Sequence, residues 1–143
     1  MSVYKNQKVL DYSAKEIFKV FKDSIKSDFK SFNEKKPVGT SAKKKIASGN
    51  GKMVDVKVEI TGYKENMMYE IKTFYGKTVY TSKYELIPIE KNKTKLLLTE
   101  DQYNPTGFTA INKILANIFY RKKIKARFEN LILGLEQQLD SKQ

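Results

Sequence analysis

The chain contains no cysteine, no histidine and no tryptophan. The missing cysteine rules out a disulfide framework and thiolate chemistry, and it fits a reducing cytosol. The missing histidine removes the commonest general base, and with both residues absent no zinc site of the Cys/His kind can form. Glycine-rich phosphate loops of either standard spacing are also missing. No apolar run approaches the roughly 18 residues that a membrane span requires. The N-terminal MSVYKNQKVLDYS lacks the apolar stretch of a signal peptide. A soluble, cytoplasmic protein without a transmembrane segment is therefore expected, with no recognisable catalytic motif and no cofactor. Arginine is nearly absent as well, occurring only at 121 and 127.

What is present is a globular composition. Hydrophobic residues make up 40% of the 143 positions, enough for one domain with a real core. The net charge is +12, and a strongly basic chain is one footprint of nucleic-acid binding. Almost all of that charge is lysine, whereas arginine is the side chain favoured for bidentate phosphate and base recognition. The charge alone therefore reads as a solubility feature, and nucleic acid is a disfavoured partner.

The hydropathy pattern changes period along the chain. VYKNQKVLDY reads as a strand of mixed alternation. SAKE at 13–16 has the form of a capping box, with Ser13 as the cap and Glu16 reaching back. Ile17, Phe18, Phe21, Ile25 and Phe29 then recur at helical spacing and are expected to face a core. Pro37 and Gly39 stop any helix, Ala42 to Ala47 can form a short strand, and Gly49-Asn50-Gly51 has the composition of a tight hairpin turn.

From residue 52 the period is two. Val54, Val56, Val58 and Ile60 share a face, as do Met67, Tyr69, Ile71 and Thr73, then Tyr80, Ser82, Tyr84 and Leu86, then Leu96, Leu98, Glu100 and Gln102. Glu65-Asn66, Gly76-Lys77 and Lys91 to Lys93 supply turns, so an antiparallel meander with one wet face is expected. A long helical segment ends the chain. Ile111, Ile114, Leu115, Ile118 and Phe119 form one stripe of it. Ile124, Phe128, Leu131, Ile132, Leu135 and Leu139 form a second, rotated by roughly a quarter turn. The distal stripe is expected to lie across the sheet and the proximal part to cover its mouth.

Between the stripes sits a basic block, Arg121, Lys122, Lys123, Lys125 and Arg127. Its plainest reading is a solvated helix face. Contact with phosphate or with an anionic membrane surface are the alternatives. Glu100 follows Leu96 and Leu98 on the inner face. It reads either as a polar anchor with a raised pKa inside an apolar cavity, or as a strand-end residue that reaches solvent or pairs with lysine; the second is the expected one.

The order strand, helix, meander, long helix resembles the helix-grip fold of the START-like, polyketide-cyclase-like superfamily, and is similar to small bacterial domains of unknown function within it. DYSAKEIFKVFKDSIKSDF, YELIPIEKNKTKLLLTED and RKKIKARFENLILGLEQQL carry the resemblance. It implies an α+β fold over residues 1–143 as a single domain. A curved antiparallel sheet of about six to seven strands would wrap around the C-terminal helix. It also implies an apolar or amphipathic ligand between sheet and helix, and the inward phase of the residues makes Tyr69, Tyr80, Tyr84, Glu100 and Ile118 or Phe119 the candidates to line that site. A basic surface for nucleic acid, acidic protein or anionic lipid headgroups is the alternative function. A hydrolase or cyclase using Glu100 as acid or base is a third. The sequence assigns no oligomeric state.

Overall fold

The structure, a computed structural model, describes residues 2–47, 53–105 and 121–141. The elements are β1 (Ser2–Leu10), α1 (Ala14–Asp28), β2 (Ser41–Ala47), β3 (Met53–Lys64), β4 (Met68–Tyr75), β5 (Thr78–Glu90), β6 (Lys93–Tyr103) and α2 (Arg121–Ser141). The expected turn at Gly49-Asn50-Gly51 lies outside the described residues. So does the proximal helical stripe from Ile111 to Phe119, and with it the expected change of stripe at the basic block.

The six strands form one antiparallel sheet in the order β1-β6-β5-β4-β3-β2. After β1 the chain crosses by way of α1 to the opposite edge, and the meander from β2 to β6 brings it back beside β1. The capping box at the start of α1 is formed in both directions between Ser13 and Glu16. The residues expected on its buried face, Ile17, Phe18, Phe21, Ile25 and Phe29, are all buried, and Val20 joins them.

The register brings the expected inner positions together across the sheet. Thr73 lies opposite Val58 and Tyr80, and Tyr84 lies opposite Tyr69 and Leu98. The alternation breaks once, at a bulge between Ile60 and Gly62. A bulge inserts one residue and turns the following side chain to the other face. Tyr63 thereby points inward and packs edge-on against Phe18, with ring centroids 5.4 Å apart. Gly62 stands opposite Glu70 at the bulge, where a Cβ would come within 3.0 Å of both the Glu70 Cβ and the Met68 Sδ. Met67, expected on the inner face, is instead an exposed turn residue just before β4.

α2 lies over the inner face. Ile124, Phe128, Ile132, Leu135 and Leu139 are buried, and Leu131 is half-buried against the same cluster as Leu96, Leu98 and Ile60. Full burial of such a side chain stabilises by about 1.5–3 kcal/mol, so this stripe holds the helix on the sheet. Its far end is tied down as well. The Tyr12 hydroxyl donates to the Asp140 carboxylate, and this bond pushes the Tyr12 pKa up to about 12. The Tyr12 carbonyl in turn accepts from the Thr94 hydroxyl at 2.8 Å.

Two neighbouring helix positions test this docking. Ile132→Ala is expected to lower the unfolding free energy by about 2–5 kcal/mol, as core truncations do. Leu133→Ala, on the opposite face and 58% exposed, is expected to change it by no more than about 0.5 kcal/mol. Urea titration of both variants checks this, and equal losses would contradict the assigned face.

Candidate functional site

The inner sheet face and α2 do not meet everywhere. A pocket of about 530 Å³ remains between β2–β6 and the first turns of α2. Among the described residues its apolar walls include Val56, Val58, Leu98, Phe128 and Leu131. Its polar groups include Thr73, Ser82, Tyr80, Glu100 and Asn130, with Lys44 and Arg127 contributing positive charge. A second gap of about 250 Å³ adjoins it toward α1. Ile71, Tyr84, Asn130 and Leu131 border both spaces.

Glu100 is the chemically distinctive group. Its phase on β6 turns it inward beside Leu98, and it is 4% exposed. This corrects the expectation of a strand-end residue reaching solvent or lysine. The Tyr80 hydroxyl donates to the Glu100 Oε2, and the cation beside it is Arg127, whose Nη2 stands 3.9 Å from that oxygen. Burial raises the Glu100 pKa to about 7, because desolvation penalises the charged form more than the Arg127 guanidinium favours it. The same burial lowers the Arg127 pKa, opposed by the nearby carboxylate. Tyr84 is pushed upward by desolvation, opposed by Arg127.

The other expected site residues fall as follows. Tyr80 and Tyr84 line the pocket. Tyr69 stacks on Tyr84 at 5.9 Å and lines the smaller gap instead. Ile118 and Phe119 lie outside the described residues. The basic block divides. Lys125 lines a cleft against β1 with Val3, Lys5 and Ile124, while Arg127 lines the main pocket. Arg127 therefore belongs with Glu100 and not to a surface shared with Lys125, which corrects its assignment. The side chains of Arg121, Lys122 and Lys123 lie outside the described ones. The phase of Arg127 carried the missing signal: it stands four residues before Leu131, so both share a helix face. Lys44, which no sequence argument singled out for the pocket, reaches it from the edge strand and pairs with Asp28 at 3.0 Å.

Among the described residues no helix is long and apolar enough to cross a membrane, and no group of three acidic side chains is placed to hold a metal ion.

A curved antiparallel sheet carrying a C-terminal helix on its inner face, with space between the two, is the START-like helix-grip fold. The chain belongs to the family described as domain of unknown function DUF3284, whose model matches residues 1–121. Solved structures share the fold at low identity. A START superfamily protein from Mycobacterium smegmatis superposes with a TM-score of 0.66 at 12% identity, covering 99% of each chain. The protein of unknown function SA2116 from Staphylococcus aureus gives 0.66 at 14%, covering 99% of this chain and 94% of that one. A norcoclaurine synthase point mutant from Thalictrum flavum, solved in complex with a transition-state analogue, gives 0.66 at 12%, covering 98% and 94%. No curated protein matches the chain.

The Glu100 environment has a pH signature. Its folded pKa of about 7 lies above the ordinary 4.5, so the folded state holds the proton more tightly than the unfolded one. The associated stability is complete below about pH 4.5 and is lost as pH rises through about 7, amounting to about 3 kcal/mol in all. Glu100→Gln keeps an acceptor for Tyr80 and cannot ionise. Its stability relative to the parent, followed by urea unfolding, is expected to grow by that amount between about pH 4 and pH 8. A difference that stays constant with pH would show that Glu100 does not titrate as described.

Proposed function

We propose that this protein binds a small apolar or amphipathic molecule between the sheet and α2, without acting on it chemically. The observation that carries the reading is the pocket of about 530 Å³, apolar along its walls and with a few polar groups converging at Tyr80, Ser82 and Glu100. Small-molecule sites have this form and a volume of about 300–1,000 Å³. The fold supports it too, since one structural neighbour was solved with a transition-state analogue bound. The cysteine-free composition favours a cytoplasmic protein. The interaction module built on the helix block is disfavoured, because Lys125 and Arg127 open onto different clefts.

Titration with Nile red, an uncharged apolar dye, tests the proposal. The purified full chain is expected to give saturable fluorescence enhancement. Leu131→Trp, which adds bulk at the border of both spaces, is expected to weaken binding about tenfold or more, a loss of about 1.4 kcal/mol or more. Thermal unfolding of the variant confirms that it is folded. Dye binding that is absent from the parent, or unchanged by a folded Leu131→Trp, would sink the reading. Native mass spectrometry of freshly purified protein gives an independent view through any co-purified mass.

A further inference from the structure

One residue of α2 is poorly suited to its place. Gly134 lies in the interior of the helix, where glycine costs about 1 kcal/mol relative to alanine. Close packing is the usual reason for a helical glycine, and it does not apply: a Cβ built there meets nothing within 4 Å. The residue instead borders the smaller gap, beside Tyr69 and Leu131. It keeps open a space that any larger side chain would begin to fill.

That space has a direction. The main pocket and the smaller gap adjoin across Tyr84 and Leu131, so together they run beneath α2 from Arg127 toward Gly134. Seven residues of helix separate these two positions, a span of about 10 Å. The two spaces together offer an extended chain a path of about that length beneath the helix.

The two ends differ in charge. At the pocket end stand the guanidinium of Arg127, whose side chain is 42% exposed, and Lys44, held by Asp28. The acid lining this end is Glu100, which is buried and takes the Tyr80 hydroxyl. Its raised pKa leaves a large share of it neutral near pH 7, and a neutral Glu100 can donate a hydrogen bond. A planar guanidinium and a carboxylic acid facing one space match a carboxylate, which accepts from both. Toward Gly134 the lining includes Phe21, Ile25 and Leu135, which suit an alkyl tail, with Ser24, Gln138 and Asp28, the last paired with Lys44, at its border.

We propose that the occupant is a straight-chain carboxylate, its head held at Arg127 beside Glu100 and its tail running under α2 to the space at Gly134. This rests on the reading of the pocket as a ligand site and adds the chemical class and orientation of the ligand.

Displacement of Nile red from the full chain tests it, with competitors kept below micelle-forming concentrations. Dodecanoate is expected to compete about tenfold better than dodecanol, the gain of a charge-assisted contact, and dodecyltrimethylammonium least of all. In Arg127→Gln the ratio between dodecanoate and dodecanol should collapse toward one. In Gly134→Leu the advantage of dodecanoate over hexanoate should shrink about tenfold, because only the longer tail reaches the blocked position. Gly134→Ala separates helix propensity from blockage: it is expected to raise the melting temperature while keeping most of the chain-length preference.

If dye binds but dodecanol competes as well as dodecanoate, the carboxylate assignment falls and the ligand site survives. Dodecyl phosphate outcompeting dodecanoate would overturn the carboxylate head in favour of phosphate. A chain-length preference unmoved in a folded Gly134→Leu would overturn the tail path. Failure of the dye and every competitor to bind would overturn both readings.

Discussion

The structure depends on one burial: the apolar stripe of α2 laid against the inner face of the sheet. Neither surface is stable without the other. The sheet would expose Val58, Leu96 and Leu98 to water, and α2 would expose Phe128, Ile132 and Leu135, all of which are 7% exposed or less. α1 closes the same cluster from the side through Phe18, Phe21 and Ile25. The Tyr12–Asp140 bond then secures the C-terminal end of α2 to the start of α1. With that end tied, the larger open volume falls under the first turns of the helix, where Arg127 is carried over the sheet.

Glu100 shows what this arrangement costs. A carboxylate placed at the floor of such a space loses its hydration, and the nearby guanidinium does not restore it at 3.9 Å. Desolvation outweighs attraction, as the upward pKa shift records. A leucine continuing the Leu96–Leu98 series would avoid the expense. Polar groups that break an otherwise consistent apolar pattern mark places where function competes with stability. Gly134 is a second departure of the same kind, a weak helix former in a helix with room for something larger.

Much of this was legible in the residues. The capping box named the start of α1, the period of two through Val54 to Ile60 named the inner face of β3, and the phase of Leu96 and Leu98 turned Glu100 inward. Three things were not legible. The bulge at Gly62 has no local periodicity to announce it, so Tyr63 gave no sign of its face. Arg127 was grouped with its neighbours by charge, although helical phase separates it from Lys125. The environment of Glu100 depended on residues 20 and 27 positions away, Tyr80 and Arg127, and on how closely α2 approaches the sheet. Volume between two surfaces is a property of the assembled fold and leaves no trace in either strand or helix pattern alone.

Native-state hydrogen exchange addresses the central burial directly. Amides of α2 from Ile124 to Leu139 are predicted to exchange only through the opening that also exposes β5 and β6, with the same free energy and the same denaturant dependence. Helix amides that exchange through a separate, low-energy opening while the strands stay protected would contradict the account.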